Sequence, residues 1–511
     1  MRNYDLIVIG SGPAGEKGAA IASHFGKNVA LIQREVVPGG ACVNTGTIPS
    51  KTLRESAMHL SGFRQRGLYS IDQSVRDNIT IGDFLQRKRE VVEKEWDMID
   101  ENMRWHGIDR YRGIGRFISP HEVVVDTPGY DITLHGEYIL IATGSSPHHP
   151  EDVPFDNDCI YDSDTILELD RIPNSMVVVG AGVIGAEYAT IFAALGIKVT
   201  LIDGRTELLG HVDREIVDIL LRQMKNRLRI NLLLGEEVES VEVVCNDGEE
   251  NAQLKLKSGR TINTEKVLYA AGRQSNVEEM NLDVVGVQTG KRGVLLVDEN
   301  YRTNVPHIYG AGDVIGFPAL ASTSMEQARV AMVNAFGLQY ETSLAPLVPY
   351  GIWTIPELSM VGKSEEELLQ AGIDYECGRA YYRNNPRGQI MGDTAGMIKL
   401  LFDPQDHTLL GIHIIGDDSA ELIHIGMMVM QLGGKLEVFV RSAFNYPTLS
   451  DIYKQAAEDG LRRLRKREEQ KTAVMLQADE MSKRYEKSSN GIGHDIEAAG
   501  MQADAPTPDV G

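Results

Sequence analysis

Cysteine is scarce in this sequence, and the few cysteines lie far apart. Four occur among 511 residues, and none forms a C-x2-C pair. This spacing predicts neither a disulfide framework nor a metal site. Long apolar runs are missing as well, because no stretch approaches the length of a membrane span. The N-terminal run MRNYDLIVIGSGPAG leads into a glycine turn, unlike a signal peptide. We therefore expect a cytoplasmic protein that does not bind a membrane.

Positive charge is also in short supply. Lysine and arginine number 51 against 73 aspartates and glutamates, so the formal net charge is -22. Nucleic acids and anionic membranes are bound through basic patches, which this balance disfavours. Small molecules are therefore the expected partners. The length alone predicts three or more domains, because it exceeds what one core can support.

What the chain does contain is a repeated nucleotide-binding pattern. Residues 4–33 and 175–203 each run from an apolar strand through G-x-G-x-x-G and a helix pattern to a second apolar strand. The unbroken apolar runs predict parallel strands that are buried on both faces. Two βαβ units that hold the pyrophosphates of dinucleotides are therefore expected. Their glycines are Gly10, Gly12 and Gly15 in the first copy, and Gly180, Gly182 and Gly185 in the second.

The ribose position differs between the two copies. It lies 23 residues after the first glycine in each, at Gln33 (33 − 10) and at Asp203 (203 − 180). Gln33 stands where a carboxylate is usual and can still bond a ribose hydroxyl. Asp203 favours the free 2′-OH of NAD(H) over a 2′-phosphate. Arg205, two positions later, could pair with the 2′-phosphate of NADP(H), so both coenzymes stay open.

The loop over residues 39–51, GGACVNTGTIPSK, carries a resemblance to a known family. It resembles the flavoprotein disulfide reductases of the FAD-dependent pyridine nucleotide-disulfide oxidoreductase class I family. These enzymes have two cysteines at this point, whereas here only Cys42 remains and Thr47 takes the second position. A hydroxyl cannot replace a thiol in disulfide exchange. Cys42 is accordingly expected to be vestigial or to tune the flavin.

The resemblance implies further site residues. FAD would be bound without a covalent bond, and Lys51 and Glu187 would form an ion pair beside the flavin and the nicotinamide. The segment TNVPHIYGAGD would place Asp313 at the ribityl and phosphate end of the flavin. IATGSSP and YAAGRQSN resemble the crossovers between the two nucleotide domains. The remaining cofactor contacts implied are Gly40, Thr47, Thr143 and Gly144 for FAD, and Gly272 for NAD(P).

A second departure from the reductases lies near the C-terminus. The chain reads FNYPTLSD, so Tyr446 stands where the reductases carry the histidine of their acid–base dyad. Together with GTIPSK, this segment resembles the soluble pyridine nucleotide transhydrogenases. That resemblance implies ping-pong hydride transfer between NADPH and NAD+ in a homodimer or larger homo-oligomer. An NADH-dependent diaphorase or quinone reductase, or a catalytically vestigial flavin-binding protein, are the alternatives.

The expected fold class is α/β, with two Rossmann-like domains and a C-terminal α+β dimerisation domain. We expect a discontinuous FAD-binding domain over 1–150 and 276–345, with an NAD(P)-binding domain over 151–275 between its parts. The dimerisation domain is expected over 346–465. The remaining residues, 466–511, form a polar tail. From Glu468 the tail begins with the pattern of a polar helix, and its end, GIGHDIEAAGMQADAPTPDVG, is expected to be disordered.

Overall fold

A computed structural model of the chain describes residues 2–62, 79–127, 129–246, 249–341 and 343–498. Within these ranges, every helix is too short or too polar to traverse a bilayer. The helices are α1 (Pro13–His24), α2 (Gly40–Asn44), α3 (Thr47–Leu60), α4 (Ile81–Trp105), α5 (Val183–Ala194), α6 (Arg214–Asn226), α7 (Leu282–Val285), α8 (Ala321–Phe336), α9 (Glu365–Gln370), α10 (Pro386–Met391), α11 (Ser419–Gln431), α12 (Glu437–Arg441) and α13 (Ile452–Ala498).

The first sheet contains seven strands in the order β3-β2-β1-β6-β5-β4, with the seventh, β17, paired to β6. The strands are β1 (Arg2–Ile9), β2 (Val29–Gln33), β3 (Asp109–Arg112), β4 (Ile114–Ser119), β5 (Glu122–Thr127), β6 (Tyr130–Ile141) and β17 (Ile308–Gly310). β1 runs parallel to both β2 and β6, as its apolar run predicts, and Leu6, Ile7 and Val8 in it are fully buried. The carboxyl end of β1 leads into the first glycine turn.

The second sheet is entirely parallel, in the order β11-β10-β9-β15-β8. The strands are β8 (Ile160–Asp162), β9 (Ser175–Val179), β10 (Lys198–Asp203), β11 (Asn231–Leu234) and β15 (Lys266–Tyr269). An antiparallel meander follows β11 and consists of β12 (Val238–Asn246), β13 (Glu249–Leu256) and β14 (Thr261–Thr264). The second glycine turn leaves the carboxyl end of β9.

A short antiparallel ribbon joins the two glycine-turn regions. It pairs β7 (Ser145–Pro147) with β16 (Arg273–Ser275), and so brings together the two segments that resemble domain crossovers. Asn276, directly after β16, donates from its side chain to the carbonyl oxygen of Thr143 over 3.0 Å. The ribbon therefore fixes one region against the other next to the expected flavin contacts.

The third sheet is antiparallel, in the order β18-β19-β22-β21-β20. The strands are β18 (Tyr350–Ile352), β19 (Leu358–Gly362), β20 (Glu376–Tyr381), β21 (Met397–Phe402) and β22 (Leu409–Ile415). α11 packs on β19 and β22, and α13 packs on β20 and β21. Helices on an antiparallel sheet are the layered arrangement typical of an α+β unit.

The end of the chain contains the expected polar helix, but the helix continues into the part that was expected to be disordered. α13 continues through Ala498, so residues 466–498 are helical. Every residue over 468–484 is exposed, which explains why this stretch shows no apolar pattern of a packed helix. Its many Glu, Lys, Gln and Ala residues nevertheless have high helix propensity. Residues 499–511, also part of the expected tail, lie outside the described residues.

Candidate functional site

The first glycine turn forms a backbone cradle at the carboxyl end of β1. Gly10 has a φ of +111°, and a Cβ there would lie 2.2 Å from the Ala142 carbonyl oxygen. A Cβ on Gly15 would lie 1.9 Å from the Gly10 carbonyl oxygen. Gly12 caps α1, and its nearest neighbour across the turn is the Cα of Gly40. The turn tolerates no side chains at Gly10 and Gly15, and it leaves the N–H groups of α1 free for a phosphate.

Gln33 ends β2 beside this turn and is only 8% exposed. Its Nε2 donates to the Glu35 carbonyl oxygen over 2.9 Å. Its Oε1 is buried and has no hydrogen-bond partner among the described residues. A buried acceptor without a partner costs about 1–3 kcal/mol. Because Gln33 lines the cavity described next, a ribose hydroxyl bound there could satisfy this acceptor.

A large cavity of about 1260 Å³ begins at the first glycine turn. This volume exceeds the usual 300–1,000 Å³ of a drug-sized ligand site and suits a dinucleotide. Ser145 donates from its hydroxyl to the Asp313 carboxylate over 3.2 Å. Like Gln33 Oε1, Thr143 Oγ1 is buried and finds no hydrogen-bond partner in the described part of the chain. The predicted residues that line the cavity are Gly10, Gly12, Gln33, Gly40, Cys42, Thr47, Lys51, Thr143, Gly144, Glu187 and Asp313.

Cys42 and Thr47 lie next to each other in the wall of this cavity. Cys42 is in α2, and Thr47 is the first residue of α3. Burial raises the pKa of the Cys42 thiol, and a side-chain hydrogen bond with Thr47 opposes that rise. All four cysteines of the chain are free thiols. The cavity therefore contains a protonated thiol beside a hydroxyl and no disulfide.

Lys51 and Glu187 meet at the far side of the cavity, as the resemblance implies. Lys51 Nζ lies 3.0 Å and 2.8 Å from the two carboxylate oxygens of Glu187. Glu187 is 4% exposed and also accepts a hydrogen bond of 2.8 Å from the Trp353 main-chain N–H. The carboxylate is thus held from two directions. Its partner ammonium group borders the open space of the cavity.

The segment 353–357 supports this ion pair, a role that no motif in the sequence predicted for it. Arg54, one turn beyond Lys51 in α3, is buried, and it donates from Nε to the Thr354 carbonyl oxygen over 3.1 Å. Its Nη2 lies 3.1 Å from the buried carboxylate of Glu357. Burial raises the pKa of Glu357, and the charge of Arg54 opposes that rise. The segment is therefore bonded to the helix that carries Lys51.

The same segment is also bonded to the helix that carries Glu187. Ile355 donates from its main-chain N–H to Thr190 Oγ1 over 3.1 Å, and Thr190 is fully buried in α5. With the bond from Trp353 to Glu187, this makes two contacts to α5. The C-terminal part of the chain thereby helps to position both halves of the ion pair.

The second glycine turn repeats the geometry of the first. Gly180 has a φ of +107°, and a Cβ there would lie 2.6 Å from the Ala270 carbonyl oxygen. A Cβ on Gly185 would lie 1.8 Å from the Gly180 carbonyl oxygen, and Gly182 caps α5. This turn lies outside the cavity lining, as do Gly15, Asp203, Arg205 and Gly272. The lining reaches α5 at Val183, Ile184, Glu187 and Tyr188.

Asp203 and Arg205 form an ion pair at the carboxyl end of β10. Arg205 Nη2 lies 2.7 Å from Asp203 Oδ2, and Arg205 Nε lies 3.0 Å from Oδ1. Burial disfavours the ionised carboxylate, but hydrogen bonds from Arg205 and from the Ala181 N–H outweigh it, so the pKa of Asp203 lies below its usual value. Asp203, which favours NAD(H), and Arg205, which could bind NADP(H), are therefore in direct contact.

Tyr446, at the position of the missing histidine, lies on the surface and is 73% exposed. Asp451, which follows in the same segment, accepts a hydrogen bond of 2.7 Å from the Gln455 side chain. Neither residue lines the large cavity. Within one described chain, this segment therefore takes no part in the site.

Comparison with known protein families identifies this geometry. The family model described as pyridine nucleotide-disulphide oxidoreductase matches residues 4–334, and the model of the dimerisation domain of that family matches residues 348–457. The chain belongs to the pyridine nucleotide-disulphide oxidoreductase family. This confirms the expected α/β fold with a C-terminal dimerisation domain, and it supports the expected homodimer. It also confirms an oxidoreductase that uses FAD and pyridine nucleotides.

Members of the family with curated names cover nearly the whole chain. A protein of Mycobacterium tuberculosis named soluble pyridine nucleotide transhydrogenase is 47% identical over 467 residues, which span 91% of this chain and 98% of that protein. A protein of the same name from Chromohalobacter salexigens is 40% identical over 472 residues, 91% of this chain and 99% of that protein. The resemblance predicted from the sequence is confirmed.

Two solved structures share the fold. The HOCl-induced flavoprotein disulfide reductase RclA from Escherichia coli is 28% identical, with a TM-score of 0.79 over 89% of this chain and 99% of that chain. LpdA from Mycobacterium tuberculosis is 24% identical, with a TM-score of 0.81 over 90% of this chain and 99% of that chain. The similarity to LpdA concerns the fold alone.

Proposed function

We propose that this protein is an FAD-dependent transhydrogenase that transfers a hydride between NADPH and NAD+. The observation that carries the proposal is the Lys51–Glu187 ion pair, which stands intact in a cavity where Thr47 replaces the second thiol. The charged pair that hydride transfer needs is present, whereas the second thiol that disulfide exchange needs is absent. The relatives named soluble pyridine nucleotide transhydrogenase support the same reaction.

The residues of the cavity suit FAD. The free N–H groups at the start of α1 would bind its pyrophosphate, and Gln33 Oε1 would accept a hydrogen bond from its ribose. Asp313 would bond the ribityl end. FAD bound in this way supplies a group that accepts a hydride and gives it up again. The protein has to align each nicotinamide with that group and exclude water from it.

Lys51 and Glu187 are the residues to which we assign the catalytic role. The ammonium group of Lys51 would stabilise negative charge that develops beside it, because it is fixed in place before the reaction begins. Glu187 orients that ammonium group with both carboxylate oxygens. The N–H of Trp353 keeps Glu187 in position. Cys42 stays protonated, which fits a residue without a part in electron transfer.

With one glycine turn for FAD and one for a nicotinamide nucleotide, NADPH and NAD+ would bind one after the other at the same site. If FAD occupies the turn at Gly10, the turn at Gly180 is the one remaining G-x-G-x-x-G turn in the described chain. NADPH would have to leave it before NAD+ enters. The mechanism would therefore be ping-pong, with parallel lines in double-reciprocal plots of rate against substrate.

We also assign the protein to the cytoplasm, as a homodimer or larger homo-oligomer. Its four thiols are all free, and exposed Cys245 is among them, which suits a reducing compartment. Pyridine nucleotides as substrates fit the same assignment.

The decisive experiment follows hydride transfer from NADPH to thio-NAD+, and from NADH to thio-NADP+, by the absorbance of the reduced thio-coenzymes. The FAD-loaded protein should carry out both reactions without any added disulfide. The FAD-free protein is the control. A flavin that each reduced coenzyme reduces, but that passes no hydride to either oxidised coenzyme, would refute the proposal. Rapid turnover with a quinone in the same preparation would then favour the diaphorase alternative.

A further inference from the structure

The carboxylate of Asp203 is saturated with hydrogen bonds. Oδ2 accepts from the Ala181 N–H at 2.6 Å and from Arg205 Nη2 at 2.7 Å. Oδ1 accepts from the Arg205 N–H at 2.8 Å and from Arg205 Nε at 3.0 Å. Two of these four donors are main-chain groups and two belong to the guanidinium. Asp203 would therefore keep two bonds if the guanidinium moved away.

The two partners differ in their freedom to move. The side chain of Arg205 is 65% exposed, whereas that of Asp203 is 9% exposed. Because the guanidinium is exposed, water or a phosphate can replace Asp203 as its hydrogen-bond partner. The guanidinium can thus leave the carboxylate without unfolding any element, while the carboxylate stays at the end of β10.

The pair lies beside the second glycine turn. A Cβ on Gly182, the residue that caps α5, would lie 4.0 Å from Arg205 Nη2. The Ala181 N–H that anchors Asp203 belongs to the same turn. A dinucleotide whose pyrophosphate binds at this turn therefore brings its adenosine ribose to the pair.

The charge of the pair bears on which ribose can bind. A lone carboxylate accepts a hydrogen bond from a 2′-OH and repels a 2′-phosphate. Arg205 cancels that repulsion, and a guanidinium can bond a phosphate through two parallel N–H groups. One site thereby contains the Asp203 carboxylate as acceptor for the 2′-OH and the Arg205 guanidinium as donor to the 2′-phosphate.

We propose that the Asp203–Arg205 pair is an exchangeable clamp through which one site accepts both coenzymes. With NAD(H), the ribose 2′-OH donates to Asp203, and Arg205 turns out toward solvent. With NADP(H), the guanidinium leaves Asp203 and binds the 2′-phosphate, while the main-chain N–H groups retain the carboxylate. The inference rests on the proposed function, because a transhydrogenase must bind both coenzymes in turn.

The test measures binding of two fragments that cannot be oxidised or reduced. Isothermal titration calorimetry on the FAD-loaded protein compares 2′,5′-ADP, which carries the 2′-phosphate, with 5′-AMP, which does not. Loading with FAD keeps the fragments out of the first turn. Arg205→Gln should weaken 2′,5′-ADP roughly 10- to 100-fold and change 5′-AMP less than about threefold.

Asp203→Asn should give the opposite pattern, which general damage to the site could not produce. It removes the anion and the anchor of the guanidinium, so 2′,5′-ADP should bind more tightly than in the unaltered protein and 5′-AMP more weakly. Arg302→Gln is the matched control, because Arg302 pairs with Asp298 at 3.2 Å and is similarly exposed. This variant should bind both fragments as the unaltered protein does.

The outcomes separate the clamp from the reaction. Equal losses of both fragments in Arg205→Gln, or no loss of 2′,5′-ADP, would overturn the clamp. Weaker binding of 2′,5′-ADP in Asp203→Asn would overturn it too. The expected pattern in a protein that transfers no hydride between coenzymes would support the clamp and refute the proposed function alone.

Discussion

Replacing Gln33 with Met should weaken FAD binding and leave the apoprotein nearly as stable as before. Met has a similar length and fills the buried space, but it neither donates nor accepts. In the apoprotein the change loses the bond from Nε2 to the Glu35 carbonyl, about 1 kcal/mol. It also removes the buried Oε1 without a partner, which relieves about 1–3 kcal/mol. The two effects largely cancel.

With FAD bound, the balance changes. Oε1 then accepts a hydrogen bond from the ribose. Gln33→Met therefore loses that bond, and it no longer removes an unpaired buried acceptor. The affinity should fall by about 1–3 kcal/mol, or roughly 5- to 150-fold in Kd. Titration of the apoprotein with FAD, followed by flavin fluorescence, measures Kd, and urea unfolding measures apoprotein stability. Gln253→Met, outside the cavity, is the control. A Kd within twofold of the original would refute the reasoning that Oε1 awaits a ribose hydroxyl.

Three further outcomes are expected. Glu187→Gln should slow flavin reduction by NADPH about 100-fold in stopped flow, because the buried partner of the catalytic ammonium loses its charge; an unchanged rate contradicts its role. Because burial raises the pKa of Cys42, iodoacetamide should label Cys42 more slowly than exposed Cys245 at pH 7, and the labelling of Cys42 should speed up as the pH rises. Mass spectrometry measures both rates, and equal labelling of the two thiols at pH 7 contradicts this. Arg54→Met should lower the free energy of unfolding in urea by about 3–5 kcal/mol, because Glu357 stays buried without its partner; a loss below about 1 kcal/mol excludes that coupling.

The glycine turns could be predicted from the sequence because their physics is local. A strand, a turn that excludes side chains and a helix N-terminus lie within a few residues of one another, so the spacing of Gly10 and Gly180 contains the geometry. Lys51 and Glu187 are different. They are 136 positions apart, and only the resemblance to a family predicted that they meet.

The residues that support the ion pair could not be found from the sequence. Trp353 contributes a main-chain N–H, which no residue type can signal. Arg54 sits in a helix like any solvated arginine, and its partner Thr354 is 300 positions away. The predicted disorder is wrong for the last part of α13 for another reason. Residues 491–498 have the Gly and polar composition of a disordered tail, yet α13 continues through Ala498.

The hydrogen bond from residue 353 to Glu187 has a consequence for how this site can evolve. Because the donor is the main chain, every residue type except one can keep this bond. The indole has other contacts, since it lines the cavity and lies against the Arg54 guanidinium, 5.8 Å from the ring centroid. Proline alone has no N–H to give. In a saturation library at position 353 scored for flavin reduction, proline should therefore be the most damaging replacement, because it loses both the N–H and the indole contacts.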